Sequence, residues 1–574
     1  MKVTKYLVVL AIAFFAIASL SNAQSVAFLG GGSSALFLEL GQAAATYEAG
    51  LGTPCIWTQG STPGSIVARD NRTSPATDET GNIWVVWNAG TGSCASPAGS
   101  WNVYSYMSLD SVLGDRCFFE VDSSGTPGCV QIMTVTAGLA GANKLCYPSA
   151  SSCTSFGDVS TGIPQPVINA LNGLHWFVAG TDIRPEDAKY ATYRALAPCG
   201  QAIIRQPFDQ ISRQAYGLGY GPGPVGTSIV SFYSTGSFHV LDFNITGFDP
   251  IDTSSPVPAY TVSTVGAQPI VVAVAPYGGT GIGAATDIPL NVLENFYTGV
   301  LGRSTDLLGP TTTQAVTTLV REPLSGTFNT FEWSAVNNSQ FHGSQEFLNC
   351  NGTAVLSNPM NLESANGALI NSQFAFRRRV IGTSEMVKQI QSASSTDDRL
   401  GYFFWSAGNA SAFTDTNGKY LTVNGVDPLT NSYTDGIFPG ADSSHPLTNV
   451  TFKYLNQGDY PIWSALRLVS TSPTPAGVTN LILAAQTLNT TQFDFIPLSK
   501  LNVWHSHFQY FGLGLTNVAD GTTINPATPG DLCNSSGALA EAGGDVGGST
   551  ILKQANHDFC SDFSVTIGIA NVTN

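Results

Sequence analysis

The sequence predicts an α/β protein, and three observations predict it. Strand-like and helix-like segments alternate along much of the 574 residues. A content of 43% hydrophobic and 10% aromatic residues can fill sizeable cores, and the length argues for two or more of them. Several short apolar strands run straight into turns rich in Gly, Ser or Thr that open helices. With 23 basic against 39 acidic residues, a formal charge of -16 and 11% charged residues, the chain is neither a disordered polyelectrolyte nor a basic nucleic-acid binder. Its 60 Gly and 31 Pro lack a collagen period and mark turns.

Lys2 and Lys5 precede an apolar run at 6–20 and the small residues Ser21, Asn22 and Ala23, which read as a secretory signal at 1–23 cut after Ala23. A run this short is expected to be cleaved rather than kept as a membrane anchor. No Cys sits near the cut for a lipid anchor, and the tail at 563–574 is too short and polar for a membrane-anchor signal. The expectation is a soluble secreted or periplasmic protein with no membrane span. Ten cysteines in an oxidising compartment imply disulfides, and none forms a Cys-x-x-Cys metal or redox pair. Six of them fall between Cys55 and Cys153, in a stretch that reads as a stapled insertion over about 50–156; Cys533 and Cys560 bracket a Gly-rich segment near the end. Pairing is open. Nine Asn-x-Ser/Thr sequons allow glycosylation if the host secretes through an endoplasmic reticulum.

In chain order, a strand at 25–29 enters the glycine turn Gly30, Gly31, Gly32, Ser33 and Ser34, and a helix at 35–47 follows with Leu36, Leu40, Ala43 and Ala44 on one stripe. A helix is expected at 164–171, a strand at 174–178 and a helix at 185–196 introduced by Thr181 and Asp182. Strands at 227–232, 238–243 and 269–275 precede a helix at 290–301. A strand at 316–320, a turn at 321–327 and a helix at 329–336 repeat the strand, turn, helix pattern. Further elements are a helix at 384–392, strands at 400–405 and 461–469, and a helix at 478–488. No internal repeat is present.

First turns of helices offer unpaired N–H groups and the positive end of the helix dipole, a geometry that holds small oxyanions. Any one such turn is more simply a capped helix. Gly30 to Gly32 do not make a dinucleotide fingerprint, because Ala35 takes the sixth position, and no Gly-Lys-Ser/Thr nucleotide loop occurs. Arg321 gives the pattern chemical content. It stands four residues before Ser325, Gly326 and Thr327, so that one turn supplies a guanidinium and backbone donors together. Asp182 would repel an oxyanion unless the anion still carries a proton to donate, which phosphate near neutral pH does and sulfate does not; otherwise it is a helix cap.

The ordered segments Gly-Gly-Gly-Ser-Ser-Ala-Leu (30–36), Ala-Gly-Thr-Asp (179–182), Val-Gly-Thr-Ser-Ile-Val (225–230) and Arg-Glu-Pro-Leu-Ser-Gly-Thr (321–327) resemble the phosphate-binding receptors of ABC phosphate importers, including their DING-type secreted relatives. Leu174, His175 and Trp176 ahead of the Gly-Thr-Asp are especially similar to the DING type. The resemblance covers 25–49 and 157 to about 490. It implies a type II periplasmic-binding-protein fold: two α/β lobes joined by crossing strands near 225–230 and 460–466, closing around one inorganic phosphate without chemistry. The implied division is 24–225 and 460–574 for one lobe with a C-terminal extension, and 226–459 for the other. By position, the implied phosphate contacts are Ser34, the amide of Ala35, Ser160 in the turn 160–162, Asp182, Arg321, Ser325, Gly326 and Thr327. No cofactor or metal is implied; a monomer is, with an ABC transporter or a cell-surface partner as the candidate recipient. The sequence departs from the family at Ala35, where a bulky apolar residue is usual, and at Pro323, where an acid is usual, although Glu322 is adjacent.

Two rivals come from other classes: a secreted phosphatase-like enzyme, and a structural cell-surface protein whose pocket has decayed. The first lacks a Gly-x-Ser-x-Gly elbow, a His-Glu-x-x-His pair or a histidine cluster. His505 and His507, beside Trp504 and Phe508, read as a strand face, and Arg377 to Arg379 as a solvated strand or loop.

Overall fold

A computed structural model describes residues 24–59, 66–70, 77–119, 128–134, 145, 157–158, 162–183, 185, 188, 191, 202–203, 215–216, 260–276, 281–298, 300–309, 314–322, 324–336, 376–380, 382–393, 397–413, 417–488, 493–505, 515–516, 523–524 and 550–552. The signal segment, Ser160, Pro323, the crossing expected at 225–230, the strands expected at 227–232 and 238–243, and six of the ten cysteines lie outside them.

Among the described residues one 13-stranded sheet organises the chain. Its order runs Phe376–Val380, Ala315–Arg321, Asp397–Phe404, Tyr260–Ala275, Trp463–Thr471, Val178–Thr181, Gln24–Ser33, Trp101–Leu109, Asn82–Asn88, Pro54–Gln59 and Gly157–Asp158, with the short strands Lys419–Tyr420 and Ile496–Pro497 pairing Tyr260–Ala275 off this path. Two sets of parallel strands are separated by an antiparallel pair. Gln24–Ser33 pairs in parallel with Trp101–Leu109 and Val178–Thr181, and Ala315–Arg321 does so with Phe376–Val380 and Asp397–Phe404. Between them the 16-residue strand Tyr260–Ala275 pairs Trp463–Thr471 along its first part and Asp397–Phe404 along its last. This long strand therefore hands the chain from one parallel set to the other. The expected strand at 269–275 is the last part of Tyr260–Ala275, paired with Asp397–Phe404, and the one at 461–469 matches most of Trp463–Thr471; the two meet at Pro269 and Trp463.

The apolar runs of these strands follow from burial on both faces. In the first set Phe28, Trp84, Tyr104 and Tyr106 enter one core together with Leu36 and with Leu40 and Ala44 of the helix Phe37–Ala49. Leu29, Trp57, Trp87, Val103 and Trp176 fill a second core on the opposite face. Alternation along the strands assigns the two sets of side chains.

Two expectations are corrected here. The stretch at 50–156 is not an appended insertion: Pro54–Gln59, Asn82–Asn88 and Trp101–Leu109 are strands of the main sheet, and Ser111–Phe119 is a helix packed against Gln24–Ser33 and Val178–Thr181 of the same sheet. Disulfides Cys55–Cys94 and Cys117–Cys129 tie this region together. Each closes a loop of a length for which chain-entropy arguments give about 3–4 kcal/mol. The glycine turn is also displaced. Strand Gln24–Ser33 continues through Gly30, Gly31 and Gly32, and the helix starts only at the Ser33 cap. Glycine is needed there for space rather than for a turn: a Cβ on Gly31 would enter the Trp176 ring, and one on Gly32, whose φ is +139°, would strike the Gly180 carbonyl.

Candidate functional site

Ligands of open α/β sheets sit beyond the carboxyl ends of the parallel strands, where connections leave in opposite directions. Here the carboxyl ends of the two sets face each other across the antiparallel pair. Ser33 ends one strand, Leu109 leads into Asp110 and Ser111, Thr181 into Asp182, and Arg321 ends a strand of the opposite set. Gly326, which opens the helix Gly326–Phe331, lies directly against Asp182: a Cβ placed on it would collide with Asp182 Oδ1 and come within 2.6 Å of Ser111 Oγ. Of the expected convergence, Asp182 lies against Gly326, and Arg321 against Thr327.

Asp182 is only 1% exposed. Its Oδ1 accepts from the Ser111 hydroxyl, and its carbonyl accepts from the Ser464 hydroxyl and, at 3.4 Å, from Arg467 Nη1. Burial pushes its carboxyl up to about 7, against the pull of its own backbone amide, of Arg321 and Arg467, and of the Ser33 hydroxyl.

Arg321 is among the largest fully buried side chains. Glu322 holds its fork in two bonds, Nε to Oε2 at 2.8 Å and Nη2 to Oε1 at 2.7 Å. Nη1 donates to Thr383 Oγ1 at 3.1 Å and to Thr327 Oγ1 at 3.5 Å, and Nη2 stands 3.6 Å from Asp110 Oδ1 across the site. The bond to Glu322 answers the departure at Pro323. Neighbouring residues on an extended strand point to opposite faces, but 322 lies just past the strand end, where the chain turns and the two side chains meet. Burial alone would raise the Glu322 carboxyl, yet the adjacent guanidinium holds it well below the usual range. Gly382 N also donates to Glu322 Oε2, at 3.0 Å, which fixes the pair against the helix Gly382–Gln391.

The remaining expected contacts divide. Ser325, Gly326 and Thr327 are buried beside Asp182 and Arg321, with Ser325 Oγ capping the helix by accepting from Phe328 N at 3.3 Å. The amides of Gly326 and Thr327 lie in the first turn, where helix geometry supplies no intrahelical acceptor. Ser34 is exposed and lines a neighbouring cleft, whereas buried Ser33 reaches Asp182. The Ala35 amide donates to Ser33 Oγ at 3.2 Å. Ser33, Asp110, Ser111, Ser464 and Arg467 were not foreseen. Strand Trp101–Leu109 followed by Asp110-Ser111 and a helix is the same strand-to-helix pattern as the other three turns, and the cysteine density around it masked that signal.

No family model matches the chain, and no curated protein matches it. Solved structures do. A phosphate-binding protein from Stenotrophomonas maltophilia is similar at 15% identity and a TM-score of 0.30, over 64% of this chain and 91% of its own. An ABC-type phosphate transport receptor from Vibrio cholerae matches at 12% and 0.24 over 42% and 72%. An ancestral soluble variant of the human phosphate-binding protein matches at 17% and 0.27 over 46% and 77%.

Buried acids give the ligand-free protein a pH signature. Burial raises Asp182 and Asp494 to about 7 and Asp398 to about 6; Glu79 rises to about 8 through burial and the neighbouring Asp70. A carboxyl raised above its unfolded value near 4 contributes stability that is full below that value and is lost as pH rises through the folded value. Glu322 acts oppositely, but only under strong acid. The urea midpoint of the ligand-free protein is therefore expected to fall between pH 5 and pH 8.5; a flat or rising profile would contradict the burial of these groups as acids. Among the described residues no group of three or more His, Cys, Asp or Glu could hold a metal ion, and no helix is long and apolar enough to cross a membrane.

Proposed function

We propose that the protein is an extracytoplasmic receptor for inorganic phosphate that binds without catalysis. The observation that carries this reading is the seating of Gly326 on Asp182, with Arg321 buried behind Thr327 and facing Asp110. Two strand sets thereby bring together one guanidinium, first-turn amides, serine and threonine hydroxyls and the carboxylates of Asp182 and Asp110. The donors suit the oxygens of a tetrahedral anion, and a carboxylate among them suits one that keeps a proton. Asp182 accepts that proton, so phosphate is retained and fully ionised sulfate is repelled.

Binding closes two lobes about the pair Tyr260–Ala275 and Trp463–Thr471, with 226–459 forming most of one lobe and 24–225 plus 460–574 the other. An ABC transporter or a cell-surface partner then receives the loaded form.

Thermal shift tests the reading. At pH 8 phosphate raises the melting temperature, by an amount equivalent to about 2.7 kcal/mol at a hundred times Kd, while sulfate leaves it near the ligand-free value. Asp182→Asn removes the proton acceptor and brings the two anions together. Lowering the wild type to pH 5, below the raised Asp182 value of about 7, also narrows the gap. Equal shifts by both anions at pH 8 would remove the role of Asp182; no shift by either would remove the receptor reading.

A further inference from the structure

Every N–H of the Arg321 guanidinium faces a protein oxygen. Nε and one N–H of Nη2 donate to Glu322 at 2.8 and 2.7 Å, and Nη1 donates to Thr383 Oγ1 at 3.1 Å and Thr327 Oγ1 at 3.5 Å. A guanidinium carries five such donors, so one remains on Nη2, and Asp110 Oδ1 stands 3.6 Å from that nitrogen. Glu322, Thr327 and Thr383 follow the strands of Arg321's own set. Asp110 belongs to the other: it joins strand Trp101–Leu109 to helix Ser111–Phe119, and its carbonyl accepts the Gly114 amide at 2.9 Å. Of these oxygens, Asp110 Oδ1 alone reaches the arginine from the opposite set.

A helix cap needs no such contact. The Asp110 side chain is 14% exposed and also bonds the Glu322 side chain. Two carboxyls share a hydrogen bond only when one keeps a proton, and because the guanidinium holds Glu322 ionised, that proton belongs to Asp110. Docked in this way, Asp110 turns an acceptor oxygen to Arg321 and an O–H to Glu322, the two functions that a hydrogen phosphate would bring. Ionised, it would set a negative charge beside the same nitrogen and repel an approaching anion. Both forms stand in the way of one. Ser111, the next residue, donates to Asp182 Oδ1, so a single turn touches the proton acceptor and covers the cation. Phosphate held between Asp182 and Arg321 has to take the covered edge, because the other donors are spent within Arg321's own set.

We infer that Asp110 is a built-in competitor of the anion, held on the Nη2 edge of Arg321 that phosphate must occupy, and that it thereby sets the receptor's affinity. This rests on the phosphate-receptor reading. Titration calorimetry with inorganic phosphate at pH 8 tests it on the wild type, Asp110→Ser and Asp110→Gly. Both replacements serve at the start of a helix, and neither side chain is long enough to reach the guanidinium. The expected result is phosphate binding at least about tenfold tighter in both variants than in the wild type, with a ligand-free urea midpoint that is unchanged or lower. A residue that merely caps its helix or supports the site would give the opposite sign. Two variants guard against one that fails to fold, which a cooperative urea transition checks. Phosphate binding that is unchanged or weaker in a folded variant would overturn this inference and leave the receptor reading standing. Absence of phosphate binding by the wild type and both variants would overturn both.

Discussion

Arg321→Ala is expected to abolish phosphate binding and to cost about 3–5 kcal/mol of stability, because it strands a buried carboxylate that has lost its cation. Glu322 is fully buried and spends both oxygens on the guanidinium, and without the arginine it keeps hydrogen bonds but no cation. The two losses separate by a second substitution. Arg321→Met combined with Glu322→Leu replaces the ion pair with apolar volume, which is often neutral for stability. The double variant should recover most of the urea midpoint and still show no thermal shift with phosphate. A single Arg321→Ala variant that kept the wild-type phosphate shift would remove the arginine from the binding site altogether.

Gly326→Ala should weaken phosphate by at least about 100-fold, about 2.8 kcal/mol, while hardly moving the unfolding midpoint of the ligand-free protein. The added methyl would strike the Asp182 carboxylate, which belongs to the opposite strand set. Locally alanine is harmless. Residue 326 opens a helix and has no left-handed φ, and alanine is the better helix former. The clash therefore exists only when the two sets are together, and the chain escapes it by staying apart. Calorimetry against phosphate and urea unfolding without it measure the two halves of this expectation. A variant that binds phosphate normally would mean that Gly326 need not approach Asp182 for binding. A large drop in ligand-free stability would mean that the two sets are locked together without an anion.

Much of the fold was legible from periodicity. The strands Ala315–Arg321 and Trp463–Thr471 and the helices Gln165–Leu171, Gly382–Gln391 and Ala476–Gln486 lie within a few residues of their expected places. Apolar runs and caps are local properties, and so they survive without a third dimension. Where space rather than propensity set the backbone, local reading failed. Three successive glycines look like a turn, yet Trp176 and the carbonyls of a neighbouring strand demand glycine inside a strand. Cysteine density likewise looked like an appendage, whereas Pro54–Gln59, Asn82–Asn88 and Trp101–Leu109 supply strands of the central sheet and lead into Ser111.

The candidate site divides along the same line. Residues 182, 321 and 325–327 could be named in advance because an arginine followed by a capped, glycine-bearing helix start has chemistry that any fold would expose. Ser33 in place of Ser34, and the contributions of Asp110, Ser111, Ser464 and Arg467, depended on strand register: Gly32 pairs with Gly180, and Arg467 with Thr181. By itself the chain's order of residues determined which turns open on Gly, Ser or Thr beside an arginine or an aspartate. Which of those turns stand opposite one another, and which neighbours close around them, was decided only by long-range strand pairing, because a shift of one residue along a strand turns every side chain to the other face.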